Sequence, residues 1–351
     1  MKKKDYKTPY GSVAVTRNIY KSRKTGVLYL PIDDKSGVIQ NTTPRLAKSV
    51  TSKYVKMAGG DVVDDFKDNH ALNLTLSYVQ NITYIVGRMG EKKEDEIVYS
   101  LPKLGGEVAT VSIGVDGTCS YVGNNGWRES MVGTISLYDE NGDRLHSIYV
   151  AHAPEYGKEG FKHNMTEEIE EIKKIVPLST RFVGLADGAK DNWTFLKPFV
   201  DTEIIDFYHV SEYLSKASKA FDIEDSDKQK EWFESACHVL KNNEYSALAI
   251  LEEMKELDKK DNLPEIVKKD LKSAITYFTN HHEQMNYSEA IANNLPIGSG
   301  VTESGCKVIV KQRLCLSGAR WSHCGANNVL KLRAINSTNG RWEQFWDKLV
   351  G

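Results

Sequence analysis

Three acidic residues have the type and spacing expected of a divalent metal site. Asp116 follows an apolar segment in Gly114-Val-Asp-Gly, and Asp187 follows another in Gly184-Leu-Ala-Asp-Gly. Each aspartate precedes a glycine, which has no Cβ to crowd a ligand. Two carboxylates a few ångströms apart repel each other, and hard cations that prefer oxygen ligands relieve that repulsion. Glu303, after Pro296-Ile-Gly-Ser-Gly, can supply a third acid.

We expect two Mg²⁺ ions, for which Mn²⁺ can substitute, held by Asp116, Asp187 and Glu303. Ions roughly 3.5–4 Å apart serve in-line displacement at phosphorus, because one lowers the pKa of the attacking water or 3′-OH and the other stabilises the leaving oxygen. The alternative is that each Asp-Gly pair only marks a turn, as it usually does. The two strand-end positions together with a later acid favour the metal site.

A second constellation is Asp206-Phe-Tyr-His209. His209 would lie one turn into a helix near the carboxylates, where it could contact a scissile phosphate or transfer a proton. Alternatively, Asp206 caps the helix and His209 is its first-turn partner. The residues alone do not separate the two interpretations.

A basic segment follows Glu303 and is predicted to contact DNA. Lys307 and Lys311 are four residues apart and share a helix face, where cations can hold a phosphate backbone. Arg313 lies near the same end. Arg320 precedes Trp321, and an indole beside an arginine can stack on an unpaired base. For Trp321 the alternative is ordinary core packing.

The segments that must position these residues alternate between strands and helices. In order, they are strand Glu107–Val115, strand Met131–Tyr138, strand Arg144–Ala151, helix Met165–Ile175, strand Arg181–Ala186, helix Lys190–Phe199 and strand Glu203–Asp206. The turn Asp139–Asp143 joins the second and third strands. Three antiparallel strands followed by alternating helix and strand is the order of the RNase H-like fold.

The N-terminal part has a different pattern. Gly11–Thr16 and Gly26–Leu30 alternate as strands of a two-stranded ribbon. Three helices follow, from Pro44 to Met57 with Thr43 as N-cap, over Asp61–Asn69, and from Thr75 to Gly87. They form either a helix-turn-helix or a small bundle without DNA contact.

We therefore predict an α/β protein with three parts. Residues 1–100 form a β-ribbon plus helix-turn-helix region. Residues 105–210 and 296–351 form a split RNase H-like catalytic domain. Residues 211–295 form an α-helical insertion.

Charge is unevenly distributed along the 351 residues. Residues 1–56 carry 13 Lys/Arg against 3 Asp/Glu, residues 304–342 carry 7 against none, and residues 221–270 carry 8 against 14. Two basic ends suit a protein that binds a polyanion, although chance clustering on solvated faces is the alternative. Five cysteines without a CxxC pair indicate reduced thiols and a cytosolic setting. None of the apolar stretches is long enough to predict a membrane span.

Several motifs resemble the Kra-type transposases of bacterial insertion sequences, which are distantly similar to Mutator elements. The motifs are Gly126-Trp-Arg-Glu-Ser-Met-Val-Gly-Thr-Ile-Ser-Leu-Tyr-Asp139, Ala186-Asp-Gly-Ala-Lys-Asp-Asn-Trp193, Asp206-Phe-Tyr-His209, Ile297-Gly-Ser-Gly-Val-Thr-Glu303, Lys311-Gln-Arg-Leu and Ser317-Gly-Ala-Arg-Trp-Ser322. The resemblance implies a DDE triad at Asp116, Asp187 and Glu303, and an Asp-x-x-His motif at Asp206 and His209.

The resemblance also implies a function. We expect metal-dependent cleavage of double-stranded DNA at transposon terminal inverted repeats and strand transfer into target DNA. Because such a reaction brings two DNA ends together, we expect a homodimer or higher multimer on DNA. We expect it in the bacterial cytoplasm, at the nucleoid, without a membrane partner. The alternatives are a catalytically idle or domesticated DNA-binding protein and an RNase H-like nuclease without strand transfer. A glycoside hydrolase with paired carboxylates fits poorly because it gives the basic ends no role.

Overall fold

A five-stranded mixed sheet organises the protein. The computed structural model describes residues 2–123, 126–260 and 263–350. The strands are β1 (Lys2–Thr8), β2 (Gly11–Arg17), β3 (Tyr20–Lys21), β4 (Leu28–Tyr29), β5 (Thr110–Tyr121), β6 (Trp127–Tyr138), β7 (Arg144–His152), β8 (Arg181–Ala186) and β9 (Thr202–Ile205). The α/β class that the sequence predicts is confirmed.

Helices surround the sheet and form the N-terminal region. They are α1 (Pro31–Lys35), α2 (Pro44–Tyr54), α3 (Gly59–His70), α4 (Leu76–Lys92), α5 (Glu159–Ile175), α6 (Lys190–Leu196), α7 (Phe207–Ser218), α8 (Ser226–Asn242), α9 (Ser246–Asp258), α10 (Glu265–His281), α11 (Tyr287–Ala292), α12 (Gly300–Gly305), α13 (Gln312–Leu314), α14 (His323–Ser337) and α15 (Arg341–Val350). A π-helical segment, Cys306–Lys311, joins α12 to α13. None of the described helices is both long and apolar enough to cross a membrane.

The strand order in the large sheet is β7-β6-β5-β8-β9. β5, β6 and β7 form an antiparallel meander, and β8 and β9 run parallel to β5. The turn between β6 and β7 forms as predicted, because the Asp139 carboxylate accepts the backbone N–H groups of Asn141 and Asp143 and Gly142 adopts a positive φ of 81°. The parallel strands then need the crossover helices α5 and α6.

Apolar cores lie on both faces of the sheet. On one face, Ile113 and Ile135 pack with Met165 of α5 in a core that continues into α7–α11. On the other face, Val132 and Ala151 pack with the C-terminal helices and with α2–α4. The N-terminal helices and the C-terminal helices therefore share one core, which places the segment after Glu303 between the sheet and α2–α4.

The N-terminal ribbon pairs differently from the prediction. β2 pairs with β1, so that Val13 lies opposite Tyr6, whereas β4 pairs only with the two-residue β3. The predicted pairing of Gly11–Thr16 with Gly26–Leu30 is therefore wrong. Residues 2–8 were not predicted as a strand, but they reach Gly11 across a short turn, and a neighbouring partner costs less loop entropy than a distant one.

The other elements match the prediction to within a few residues, except that α5 begins at Glu159, six residues before the predicted start, and that β5 ends later than predicted. The three N-terminal helices are confirmed, and α3 begins at Gly59 rather than after the two glycines. β8 has the predicted bounds. β5, predicted to end before Asp116, continues to Tyr121.

Candidate active site

The register of two parallel strands places Asp116 beside Asp187. Gly114 of β5 pairs with Leu185 of β8, and each aspartate lies two residues further along its strand. Residues two apart share a face, and neighbouring strands are about 4.8 Å apart. The two carboxylates therefore start from adjacent backbone positions on the same face of the sheet.

Asp206 extends this row onto the third parallel strand. Ala186 pairs with Ile205 of β9, so Asp206 stands level with Asp187, and its N–H donates to the Ala186 carbonyl at 2.9 Å. We name Asp116, Asp187 and Asp206 the carboxylate row. The sequence analysis gave Asp206 no place among the catalytic residues. Its position after a strand, as for Asp187, was the signal that could have placed it in the row.

Asp116 is partly shielded from solvent within the row. Its Oδ1 accepts the Gly117 N–H at 2.7 Å, and its Oδ2 accepts the Cys306 thiol at 3.5 Å. Burial raises the pKa of Asp116, the Gly117 hydrogen bond lowers it, the charge of Asp187 raises it and His209 lowers it. Asp116 thus lies within electrostatic reach of both Asp187 and His209. The prediction that Asp116 follows the end of its strand is wrong, because β6 continues the ladder past Gly117.

Asp187 stands directly after β8, as predicted. Its Oδ1 accepts the Ala189 N–H at 3.0 Å and the Asn192 amide at 3.1 Å. The Trp193 indole N–H donates to the Asp187 carbonyl at 2.7 Å. These bonds fix the loop after β8 and use one carboxylate oxygen, while Oδ2 has no hydrogen-bond partner among the described residues.

α12 lies across the sheet on the face to which Asp116 points. A Cβ on Gly114 would stand 2.2 Å from the Thr302 hydroxyl, so this close approach requires glycine. The same hydroxyl lies 2.6 Å from that of Thr134. At the other end of α12, a Cβ on Gly305 would stand 3.0 Å from Val132, the residue paired with Asp116.

This packing brings Glu303 toward the row from a distant part of the chain. Glu303 is exposed, and its Oε1 lies 3.3 Å from the Ser299 hydroxyl oxygen. Ser299 also donates its N–H, at 2.7 Å, and its hydroxyl to Asp206. Ser299 therefore links Glu303 to the row through a buried contact that the sequence analysis did not find.

The three predicted ligands fit divalent cations in chemistry. In the part of the chain that the structure describes, no three His, Cys, Asp or Glu side chains are grouped closely enough to form a ready metal cluster. Asp116 and Asp187 are neighbours, whereas Glu303 is turned toward Ser299. Carboxylate oxygens are the ligands that Mg²⁺ prefers. The second carboxylate oxygens of Asp187 and Glu303 have no protein partner among the described residues and are available as metal ligands.

His209 begins α7 beside the row. The Asp206 Oδ1 accepts the N–H groups of Tyr208 at 2.6 Å and His209 at 3.3 Å, so Asp206 is the helix cap. The His209 ring is 39% exposed, and its Nδ1 is 4.0 Å from Glu212. The Asp206 carboxylate therefore caps α7 through backbone N–H groups, as the second interpretation predicted. The imidazole ring of His209 remains accessible to a ligand.

The predicted DNA contacts divide into exposed and buried residues. Lys307, Lys311 and Arg320 are exposed. Arg313 is 3% exposed and Trp321 is 8% exposed, and the guanidinium lies 4.6 Å from the indole centroid. The packing interpretation of Trp321 holds, because the Arg313 guanidinium packs against its ring.

A buried arginine that the sequence analysis passed over supports the π-helical segment. Arg333 of α14 donates to the carbonyls of Val308, Ile309 and Val55. A π-helical turn leaves carbonyls misaligned with their usual donors, and such turns are frequent at functional sites. Arg333 supplies donors to two of these carbonyls and ties the segment to the end of α2.

Comparison of the chain with protein-family models and with curated proteins finds no match. The functional assignment therefore depends on the residues and their geometry.

Proposed function

We propose that this protein is a DDE-type DNA transposase that cuts DNA and joins the new end to target DNA with two Mg²⁺ ions. The observation that carries the proposal is the adjacency of Asp116 and Asp187 on parallel strands, with Glu303 on a helix packed over the same face. Two adjacent carboxylates with a third acid on a neighbouring helix are suited to binding two divalent cations once Glu303 turns toward Asp116 and Asp187.

The topology supports the same proposal. An antiparallel meander followed by two strands parallel to its first strand, in the order β7-β6-β5-β8-β9, is the strand order of RNase H-like domains. In such a sheet the first strand lies at the centre and carries Asp116. The four helices α8–α11 lie between β9 and α12 in the sequence, as an insertion that splits the domain would. The motifs that resemble Kra-type transposases span the same segments.

Each residue has a role in this proposal. Asp116, Asp187 and Glu303 would hold the two ions, which when bound lower the pKa of the attacking water or 3′-OH and stabilise the leaving oxygen. Asn192 and the Ala189 N–H orient Asp187. The exposed His209 ring can donate a hydrogen bond to a phosphate oxygen or move a proton at the leaving group.

Exposed lysines extend the site toward the DNA backbone. Lys307 and Lys311 follow Glu303 within one continuous helical run, so phosphates next to the scissile one can reach them. Residues 304–342 contain no acid, and Lys307, Lys311 and Arg320 are the exposed cations among their seven Lys/Arg. Binding through such contacts weakens steeply as salt rises, because condensed counterions are released.

The proposal is tested by nicking and joining. Supercoiled plasmid and a labelled oligonucleotide with a free 3′-OH are incubated with the protein and Mg²⁺ or Mn²⁺. We expect metal-dependent nicking and transfer of the label to plasmid. Asp187→Asn should lower both at least about a thousandfold, because electrostatic stabilisation of this kind commonly supplies that factor.

The matched control is Asp143→Asn, which removes an exposed carboxylate at the opposite end of the sheet and should leave both activities unchanged. Nicking without label transfer would favour a nuclease that cuts but does not join. Salt-sensitive DNA binding with no nicking by the unaltered protein would favour a DNA-binding protein instead.

A further inference from the structure

A second cavity lies away from the carboxylate row, between the N-terminal helices and the chain that follows α13. It has a volume of about 460 Å³ and is bordered by the start of α3, the first half of α4 and the segment from Arg313 to Val329. This volume is within the range of small-molecule sites. Arg313 is ten residues beyond Glu303, or about 15 Å along a helix, so the cavity is separate from the row.

The charges that line this cavity have one sign. Arg313 and Arg320 border it, and none of its described lining residues is an aspartate or glutamate. The acid whose charge acts on Arg313 is Asp61, an exposed residue in the first turn of α3 that does not line the cavity. An anion is therefore the ligand that the lining attracts.

Arg313 is buried but incompletely bonded. Its Nε donates to the Tyr54 carbonyl at 2.9 Å, and its guanidinium lies over the rings of Tyr54 and Trp321. The two terminal amino groups have no hydrogen-bond partner among the described residues, although the side chain is almost fully removed from solvent. These two amino groups are therefore unpaired donors that an anion in the cavity can accept from.

The start of α3 borders the same space and offers further donors. The twelve-residue helix α3 begins there at Gly59 without a side-chain cap. Its first N–H groups are free, and its dipole favours a negative charge at this end.

We propose that this cavity binds the phosphate group of a nucleotide. A guanidinium offers two parallel donors that match phosphate oxygens, and the free N–H groups at the start of α3 complement them. The flat rings of Tyr54 and Trp321 are already covered by Arg313, so recognition depends on the phosphate rather than on base stacking. The nucleotide is either free in solution or part of a DNA strand, and the second source rests on the proposed function.

Gly60 permits a sharp test of the charge. It lines the cavity in the first turn of α3, and a Cβ there would meet no atom within 4 Å. Gly60→Asp and Gly60→Asn have the same shape and are both tolerated near a helix start, but only the first adds a negative charge. Arg320→Gln removes the exposed cation, and Arg144→Gln, at the far end of β7, is its control.

Binding of dAMP, inorganic phosphate and a short single-stranded oligonucleotide is measured by calorimetry in EDTA, so that metal ions do not bridge phosphate to the carboxylate row. Gly60→Asp should weaken dAMP binding at least about tenfold, since the added carboxylate would repel the phosphate across a few ångströms. Gly60→Asn and Arg144→Gln should stay within about twofold of the unaltered protein, and Arg320→Gln should weaken binding.

The outcomes identify the source of the phosphate. Competition between dAMP and the oligonucleotide, with both lost in Gly60→Asp, assigns the cavity to a DNA strand. Binding of dAMP alone assigns it to a free nucleotide. The proposal is overturned if neither probe binds the unaltered protein, or if Gly60→Asp and Gly60→Asn bind equally well. Nicking by the carboxylate row is assayed separately, so its failure would not be mistaken for failure here.

Discussion

Replacement of Asp206 by asparagine tests whether this carboxylate holds the segment that carries Glu303. Asp206 is 0% exposed, and its two oxygens face different partners. Oδ1 accepts the first N–H groups of α7, and Oδ2 accepts the N–H and hydroxyl of Ser299. Asparagine has the same shape but only one acceptor oxygen. Whichever way the amide is turned, its NH₂ group faces a backbone N–H.

The cost can be worked from these contacts. Asparagine caps helices about as well as aspartate, so the α7 side can be kept at little cost. The Ser299 N–H then loses a hydrogen bond to a charged group and stays buried without an acceptor, which costs about 1–3 kcal/mol. The Ser299 hydroxyl can rotate to accept from the amide. We expect Asp206→Asn to lower the free energy of unfolding by about 2–3 kcal/mol, and Asp206→Ala to lower it by about 1 kcal/mol more because the cap is also lost.

Urea unfolding followed by fluorescence measures these differences. The matched control is Asp225→Asn at the start of α8. Asp225 also caps a helix, but its second oxygen is near only the exposed Lys228. That substitution should cost less than about 0.5 kcal/mol. If Asp206→Asn is as small in effect as Asp225→Asn, Asp206 is only a cap and the argument that it anchors Ser299 is refuted.

Three further substitutions test the packing around the site and the N-terminal helices. Gly114→Ala should lower the free energy of unfolding by about 1–3 kcal/mol, measured by urea, because the new methyl group collides with Thr302; Thr302→Ser, which keeps that hydroxyl, should not rescue it. Arg333→Lys should lower the thermal midpoint by several degrees in a melting scan, because one ammonium cannot reach the carbonyls that the guanidinium serves. The hydrogen bond from Lys53 lowers the pKa of Asp65, so this pair stabilises the fold above the unfolded pKa and the contribution is lost as pH falls through the folded value. Lys53→Met should therefore lower stability by less than about 1 kcal/mol at pH 7, and this difference should shrink as the pH falls through the folded pKa of Asp65, as judged by unfolding across the acidic range.

Local sequence patterns predicted most strands of the large sheet. They failed where pairing with another strand determines where a strand ends. β8 was found at its observed bounds because an apolar run ends there at Asp187 and Gly188. The same Asp-Gly signal at Asp116 predicted the end of β5 wrongly. There the antiparallel partner β6 begins four residues earlier than predicted and continues the ladder past Gly117, whose missing Cβ makes room for Glu129. Propensity cannot reveal a partner that lies elsewhere in the chain.

The residue types of the site could be predicted from the sequence, but the buried contacts that hold these residues in place could not. The apolar runs before Asp116 and Asp187 identified two carboxylates that the register places side by side, although Asp116 lies within β5 rather than at its end. Nothing local indicated that Asp206 contacts Ser299 or that Arg333 reaches the π-helical segment, because these pairs are 93 and 24 or more residues apart. Trp321 illustrates the same limit, since Arg-Trp fits both DNA contact and core packing until Arg313 is seen against the ring.

The position of Glu303 is the most demanding feature of the proposed site. Asp116 and Asp187 inherit their adjacency from backbone hydrogen bonds between β5 and β8, which a side-chain substitution does not undo. Glu303 has no such ladder and depends on contacts along residues 299–311, namely Ser299 with Asp206, the close approach at Gly114, and Arg333 on the π-helical segment. Because a displacement of about 1 Å can cost two orders of magnitude in rate, these distant contacts should matter more for catalysis than for folding. The short helix α12, which carries the exposed Glu303, is thus held by buried contacts at both ends.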